Sequence, residues 1–176
     1  MSDDTGYVVT VDGRIDPEEL GVTLPHEHFS TWTDDADFDA PDEPAKAKLA
    51  REPMSLENYW YVRRNPSEHL ENTRIHPMEH AVPEVERFHR SGGDTIVDVS
   101  SKGKERVPET ARKVARATGV NVVRGTSYYT QDRHPDHVVN RTVAELAEEF
   151  ASDVREGIGD SDVRAGIIGE VGTSTN

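Results

Sequence analysis

The chain has 176 residues, enough for one domain of ordinary size, and contains no cysteine. Disulfide bonds and thiolate metal sites are therefore excluded, and a metal would have to be held by His, Asp or Glu. The 34 acidic and 20 basic residues give a formal net charge of −14, which argues against nucleic acid as a partner. No stretch reads as a membrane span, and the acidic N-terminus does not resemble a signal peptide, so we expect a cytoplasmic protein with no membrane partner.

The acidic surplus has a second interpretation. The basic residues are 15 Arg and only 5 Lys, against 34 carboxylates. Such a surface suits high salt, where repulsion between exposed charges is screened within about 3 Å at 1 M. The composition therefore predicts a halophilic protein.

The first segment predicts a hairpin followed by a turn. In residues 7–15, β-branched residues flank Asp12-Gly13, a common two-residue turn. A short helical turn should follow, with Asp16 as its cap, Pro17 at its first position and Gly21 at its end.

Two histidines stand at the end of the next predicted strand, a buried strand over residues 22–24. Side chains alternate along a strand, so His26 and His28 should project to one side, with Glu27 turned away. Neutral imidazole is a good zinc ligand, and this pair can begin a metal site. The alternative is that both histidines cap the strand and bind backbone or water.

The middle of the chain is the least regular part. Residues 33–43 are acidic and predict an exposed loop. The aromatic cluster at residues 58–62 either lines a substrate cleft or fixes a long loop onto the protein, and we favour the second role. His76 and His80 have the spacing of a helical metal pair, but Pro77 between them favours a solvated first turn.

From residue 79 the chain alternates helices and strands. Helices are predicted over 81–90, 108–118 and 142–157, and strands over 95–99, 120–126 and 163–171. The faces predicted to point inward are Val82, Val85, Phe88 and His89; Ala111, Val114 and Ala115; and Val143, Leu146, Ala147, Phe150 and Val154.

This alternation predicts an α/β fold with a parallel sheet, either an open doubly wound sheet or a TIM (β/α)8 barrel. No glycine-rich phosphate loop follows a strand, so nothing indicates nucleotide binding. In a barrel, active residues lie where strands end, as His26, His28, Tyr128, Tyr129 and Glu170 do here.

Glu170 stands among apolar residues near the end of the last predicted strand. A buried lone carboxylate is costly, and a metal would compensate it. The alternatives are a buried arginine partner or a position beyond the packed region.

Five segments then carry a resemblance to a known family: residues 24–28, 95–100, 119–123, 140–142 and 164–174. In order and spacing they resemble the phosphotriesterase family of the amidohydrolase superfamily. Within that family, the resemblance is strongest to the phosphotriesterase homology proteins and the phosphotriesterase-like lactonases. The resemblance covers residues 7–32 and about 79–176 and leaves the middle unaccounted for.

The resemblance implies a TIM barrel with two divalent metals, usually zinc, that activate water to attack an ester, lactone or phosphotriester. His26 and His28 match the first-strand ligands of the more buried metal. The family's bridging ligand is a carboxylated lysine in many members and a glutamate in others. No lysine follows Lys113, and Glu170 matches the glutamate version, as in the homology proteins. Tyr129 matches a tyrosine beside the bridging water in the lactonases.

Several further expectations follow from that resemblance. Tyr128, or Arg133 and His134, would lie in a loop over the site. The family's remaining ligands, two histidines and an aspartate, have no match, so residues 1–176 are expected to be the N-terminal half of one barrel domain, truncated after the fourth strand. Its parts would be a hairpin and turn (7–21), the first strand and ligands (22–32), a long insertion (33–78) and helix–strand repeats (79–176).

The resulting hypothesis is a metal-dependent hydrolase of esters or lactones that holds at most one metal well and has little activity alone. Zinc, manganese, iron and cobalt all suit nitrogen and oxygen ligands. Two alternatives remain open. One is an enzyme with a single-metal site. The other is a non-catalytic remnant or a half-barrel subunit, completed by a second copy or by a complementary C-terminal chain.

Overall fold

The computed structural model describes residues 6–29, 38–74, 77–102 and 107–174. The chain divides into two compact units, Met1–Phe29 with Pro77–Asn176, and Ser30–His76. No helix within the described ranges has the length and apolar character needed to cross a membrane.

The N-terminal hairpin is formed by β1 (Val8–Thr10) and β2 (Gly13–Ile15), which pair antiparallel. Its existence confirms the prediction, but the predicted turn is wrong by one residue. Thr10 pairs with Gly13, so the turn residues are Val11 and Asp12. Val11 is 2% exposed and its N–H donates to the Val122 carbonyl at 2.9 Å, so burial of this side chain displaces the turn.

A four-stranded parallel sheet forms the centre of the first unit, in the order β3-β4-β5-β6. Its strands are β3 (Thr23–Glu27), β4 (Thr95–Asp98), β5 (Asn121–Thr126) and β6 (Ile167–Ile168). The parallel sheet was predicted, but β3 starts and ends later than expected. Thr23 and Leu24 are half-buried rather than buried, because β3 is an edge strand of the described sheet.

Helices α3 (Val82–Arg90), α4 (Pro108–Thr118) and α5 (Val143–Arg155) belong to the same unit, and α3 follows a wider helical turn over Pro77–Ala81. The predicted inward face of α4 is confirmed. Its side chains and one from α3 pack on those of the strands in a core that includes Val85, Ile96, Ala111, Val114, Ala115 and Val122.

Two predicted helix faces are partly wrong. His89 of α3 is exposed, with its Nδ1 atom 3.0 Å from the Gly93 carbonyl. In α5, which is described in full, Val143 is 85% exposed and Asp153 is the one buried residue. A carboxylate, rather than the apolar stripe, is therefore the most buried part of α5.

Of the last predicted strand, 163–171, the part that forms a strand beside β5 is Ile167–Ile168, and the N–H groups of the flanking Gly166 and Gly169 also donate to β5. At the start of this segment, the Ala165 N–H donates to the Asp153 carbonyl of α5 at 2.9 Å. This N–H group therefore bonds to a neighbouring helix and not to the sheet. The expected burial is also wrong, since Ile167 and Ile168 are 41% and 55% exposed at the edge of the described sheet.

The second unit contains two short helices, α1 (Pro44–Leu49) and α2 (Tyr59–Arg64). The members of the predicted aromatic cluster differ in burial: Tyr61 and Val62 are buried, whereas Tyr59 and Trp60 are about half exposed. The solvated first turn predicted at His76 and His80 cannot be compared in full, because His76 lies outside the described residues.

Candidate metal centre

Three side chains meet where β3 and β6 end. His26 Nε2 lies 3.0 Å from Glu170 Oε2, and His28 Nε2 lies 3.4 Å from Glu170 Oε1. One ligand atom from each residue falls within 4.8 Å of the other two. The structure therefore brings together the three residues that the sequence analysis predicted to be metal ligands.

The two imidazoles converge because of strand geometry. His26 lies in β3 and His28 directly follows it, so the alternation of side chains directs both rings to one side. Their centroids are 5.5 Å apart and their planes are inclined at 77°. The backbone here is anchored to the next strand, since the Glu27 carbonyl accepts from the Val99 N–H at 3.1 Å.

Glu170 is positioned by its backbone rather than by a long strand. The Gly169 N–H donates to Thr126 at 3.0 Å, and the Glu170 N–H donates to Val99 at 3.1 Å. The Ser127 hydroxyl donates to the Glu170 carbonyl. These bonds carry the chain from the edge of β5 towards the end of β4 and so direct Glu170 to the histidines.

Behind His28 lies a buried ion pair. The Arg124 guanidinium donates to Asp98 Oδ2 at 2.8 Å, and both side chains are at most 5% exposed. Ser100 donates to Asp98 Oδ1 at 2.6 Å, and its oxygen lies 3.1 Å from His28 Nδ1. The ligand histidine is thus joined to the interior of the sheet.

The geometry fits a divalent cation. Ligand atoms around a tetrahedral zinc ion at 2.0–2.1 Å are separated by about 3.3 Å. The two nitrogen–oxygen separations, 3.0 and 3.4 Å, are close to that value, but each joins a histidine to a different oxygen of Glu170. With one ligand atom from each residue, the three atoms lie within 4.8 Å of one another. His26 is 57% exposed, against 33% for His28 and 22% for Glu170, so the cluster is open on the His26 side.

Tyr129, the predicted catalytic residue, follows β5 and is 40% exposed. Its carbonyl accepts from His134 Nε2 at 2.8 Å, and its ring lies against Gly172. No hydrogen bond in the described ranges joins its hydroxyl to His26, His28 or Glu170. The catalytic role of Tyr129 stays a prediction.

Tyr128 belongs to a different cluster, which the sequence did not reveal. Its buried hydroxyl donates to Glu149 Oε1 at 2.8 Å and lies 3.1 Å from His137 Nε2. Burial, followed by the bond to Glu149, raises the pKa of Tyr128 well above its usual range. Lys102 donates to Glu149 and, at 2.7 Å, to Asp153.

This cluster ties the segments after β4 and β5 to α5, and so supports the loops around the site. A sequence signal for it existed. Glu149 and Asp153 are spaced i, i+4 and lie beside the apolar stripe of α5, where a pair of acids needs a buried partner.

The comparisons with known proteins show the family of this chain. The model of the phosphotriesterase family matches residues 6–176. The chain belongs to the phosphotriesterase family.

Two curated relatives illustrate the match. The N-acetyltaurine hydrolase of Xenopus tropicalis is 34% identical over 99% of this chain and 50% of its own length. A phosphotriesterase-related protein of Nematostella vectensis is 31% identical over 97% of this chain and 49% of its own length. The chain therefore spans about half the length of the curated relatives it matches.

This chain also covers about half the length of a related protein of known structure. A resiniferatoxin-binding protein from Rhodobacter sphaeroides superposes with a TM-score of 0.89 at 34% identity, over 96% of this chain and 47% of that protein. The four-stranded parallel sheet with its helices corresponds to half of the TIM barrel of such neighbours. The predicted α/β class and half-barrel architecture are confirmed.

Proposed function

We propose that this chain provides the metal-holding half of a metal-dependent hydrolase, with His26, His28 and Glu170 binding one divalent cation. The convergence of two imidazole nitrogens and both oxygens of one carboxylate, at 3.0 and 3.4 Å, carries the proposal. Neutral imidazole and carboxylate are ligands for zinc, and also for manganese, iron and cobalt. We favour zinc.

A bound cation of this kind lowers the pKa of a bound water and polarises a carbonyl or phosphoryl oxygen. The chain's own residues have separate tasks. Glu170 supplies negative charge between the two rings, and the open side at His26 leaves room for substrate. Tyr129, exposed beyond β5, would orient the substrate or the attacking water.

The proposed substrate of the whole protein is a small ester or lactone, with phosphotriester hydrolysis as a side activity. A second candidate is an amide bond. The curated relatives with 30–34% identity include several named N-acetyltaurine hydrolase, an activity on an N-acyl amide. Both reactions need water to attack a polarised carbonyl, so the same metal site serves either.

The 176-residue chain should have little or no hydrolase activity by itself. The described site would offer three protein ligands to one cation, and the resemblance assigns the other ligands of a two-metal site to segments with no match in these residues. The exposed β6 edge, with Ile167 and Ile168, is where a complementary half or a second copy would pair.

Zinc titration tests the metal site. We expect the wild-type chain to bind one tight equivalent, and Glu170→Ala to lose it, because the carboxylate supplies the negative charge of the site. Glu27→Ala is the matched control, since Glu27 lies between the two histidines but outside the ligand cluster. Tight zinc binding by Glu170→Ala, or equal loss in both variants, would contradict the proposed site.

Turnover and size distinguish the remaining alternatives. Zinc-dependent hydrolysis of a lactone, aryl ester or N-acyl amide by the purified chain, lost in His26→Ala, would show a complete single-metal enzyme and overturn the expected inactivity. A stable dimer by light scattering would favour completion of the barrel by a second copy. Zinc binding without turnover in a monomer supports the half-site proposal.

A further inference from the structure

His28 is held by a chain of hydrogen bonds that ends in the interior of the sheet. Arg124 and Asp98 occupy paired positions on β5 and β4, and their side chains are 4% and 5% exposed. The Ser100 hydroxyl, in a residue 1% exposed, lies between Asp98 and His28 at 2.6 and 3.1 Å. We call Asp98, Ser100 and His28 the relay.

The chemistry of the relay fixes the direction of each bond. A guanidinium is always a donor, and the Asp98 carboxylate beside it is an acceptor. Ser100 has a single hydroxyl proton and gives it to Asp98 Oδ1, which also accepts the Ser100 N–H at 3.1 Å. The oxygen of Ser100 can then offer His28 only a lone pair, so His28 Nδ1 carries the hydrogen.

We propose that Ser100 is a positioning residue for the metal site: by accepting the Nδ1–H of His28, it fixes the ring so that the Nε2 lone pair faces Glu170. The inference rests on the proposed metal-binding function. A ligating histidine needs its free nitrogen unprotonated and its ring oriented, and a partner on the other nitrogen provides both.

The two histidines are unequal in this respect. His28 is 33% exposed and tied through Ser100 to a buried ion pair, whereas His26 is 57% exposed. In the ranges that the structure describes, the ion-pair and ring contacts of His26 are with Glu170 and His28, and no hydrogen bond holds its Nδ1 atom. His28 is therefore the oriented ligand, and His26 is the one free to adjust.

Zinc affinity of Ser100→Ala gives the first test. Loss of such a supporting partner typically weakens metal binding 10–100-fold, and we expect a decrease of about that size, measured by competition with a chromophoric chelator. Ser101→Ala is the matched control, because Ser101 is adjacent, equally buried at 1% exposure and outside the relay. Unchanged affinity in Ser100→Ala, or equal loss in Ser101→Ala, overturns the role of Ser100.

The second test needs no variant. In the zinc-loaded wild-type chain, the Nδ1–H proton of His28 should give an NMR signal protected from solvent exchange, while that of His26 exchanges rapidly. Equal exchange at both rings overturns the proposal, even if Ser100→Ala fails to fold.

The outcomes also separate the inference from the proposed function. Failure of the wild-type chain to bind zinc refutes the metal site. Tight zinc binding that is indifferent to Ser100 leaves the metal site standing and refutes the relay alone.

Discussion

Two buried tyrosines hold their protons to unusually high pH. Tyr61 is 1% exposed and donates to Glu68 Oε2 at 2.8 Å. Burial, and then this hydrogen bond, raise the pKa of Tyr61 to about 12. Tyr128 is shifted in the same direction by burial and by Glu149. Each hydroxyl joins its aromatic ring to a carboxylate, and deprotonation would put two negative charges face to face.

Stability should therefore fall in alkaline solution. A tyrosine in the unfolded chain ionises near pH 10, whereas these two stay protonated in the folded chain. Above pH 10 the folded state binds more protons than the unfolded state, so the free energy of unfolding decreases as pH rises towards 12. Urea denaturation from pH 8 to pH 11.5 measures this slope.

Tyr61→Phe should make the slope shallower, because it removes one of the two shifted groups. Tyr7→Phe is the control, since it removes the same hydroxyl group from a tyrosine that is 50% exposed. A slope that is the same in all three proteins would show that Tyr61 does not retain its proton in the folded chain.

At the scale of elements, the local sequence pattern was most informative for helices, because a helix satisfies most of its backbone hydrogen bonds within its own segment. The limits of α4 agree with the prediction because Pro108, an apolar stripe and Gly119 mark its start, face and end. The last strand was over-extended because its apolar residues resemble a buried strand, while long-range bonds to Asp153 and Arg124 decide its path. Such bonds leave no local trace in the sequence.

The candidate site also combines features that the sequence predicts with one that it does not. The proximity of His26 to His28 follows from a spacing of two residues on a strand, and the position of Glu170 follows from parallel strands ending at one edge. The pairing of Asp98 with Arg124 was missed, although each is a charge inside a predicted buried strand. Recognising it needed the register between β4 and β5, which one sequence does not provide.

The close approach of the chain after β6 to β5 requires a glycine at position 125. A Cβ atom on Gly125 would overlap the carbonyl oxygen of Gly169, the residue before Glu170. Gly125→Ala should therefore push β6 away, at a cost of about 1–3 kcal/mol from overpacking, and lower zinc affinity at least 10-fold. Urea denaturation and chelator competition measure the two effects.

Gly119→Ala serves as the control for lost stability. Gly119 ends α4 at φ 76°, where a side chain costs about 1 kcal/mol, but a Cβ there meets no atom within 4 Å. Both variants should lose stability, and only Gly125→Ala should lose zinc affinity. Equal zinc affinities would mean that the spacing of β5 and β6 does not set the position of Glu170.

At the scale of the whole molecule, the net charge of −14 should make stability depend on salt. Folding brings 34 carboxylates closer together than in the unfolded chain, against 20 basic groups, so repulsion opposes the compact state. Raising KCl from 0.1 to 1 M shortens the screening length from about 10 Å to about 3 Å. A relief of about 2 kcal/mol would raise the melting temperature by roughly 4–8 °C in a chain of this size.

Measuring the effect of KCl at two pH values distinguishes charge screening from a general salting-out effect on stability. Near the sequence pI of about 4.9 the net charge vanishes, so KCl should change the melting temperature much less there than at pH 7.5. A rise that is equally large at both pH values would assign the salt effect to stronger apolar burial. Equal melting temperatures in dilute buffer and in 1 M KCl at pH 7.5 would remove the physical basis for a halophilic protein, since the acidic surplus would then carry no energetic penalty.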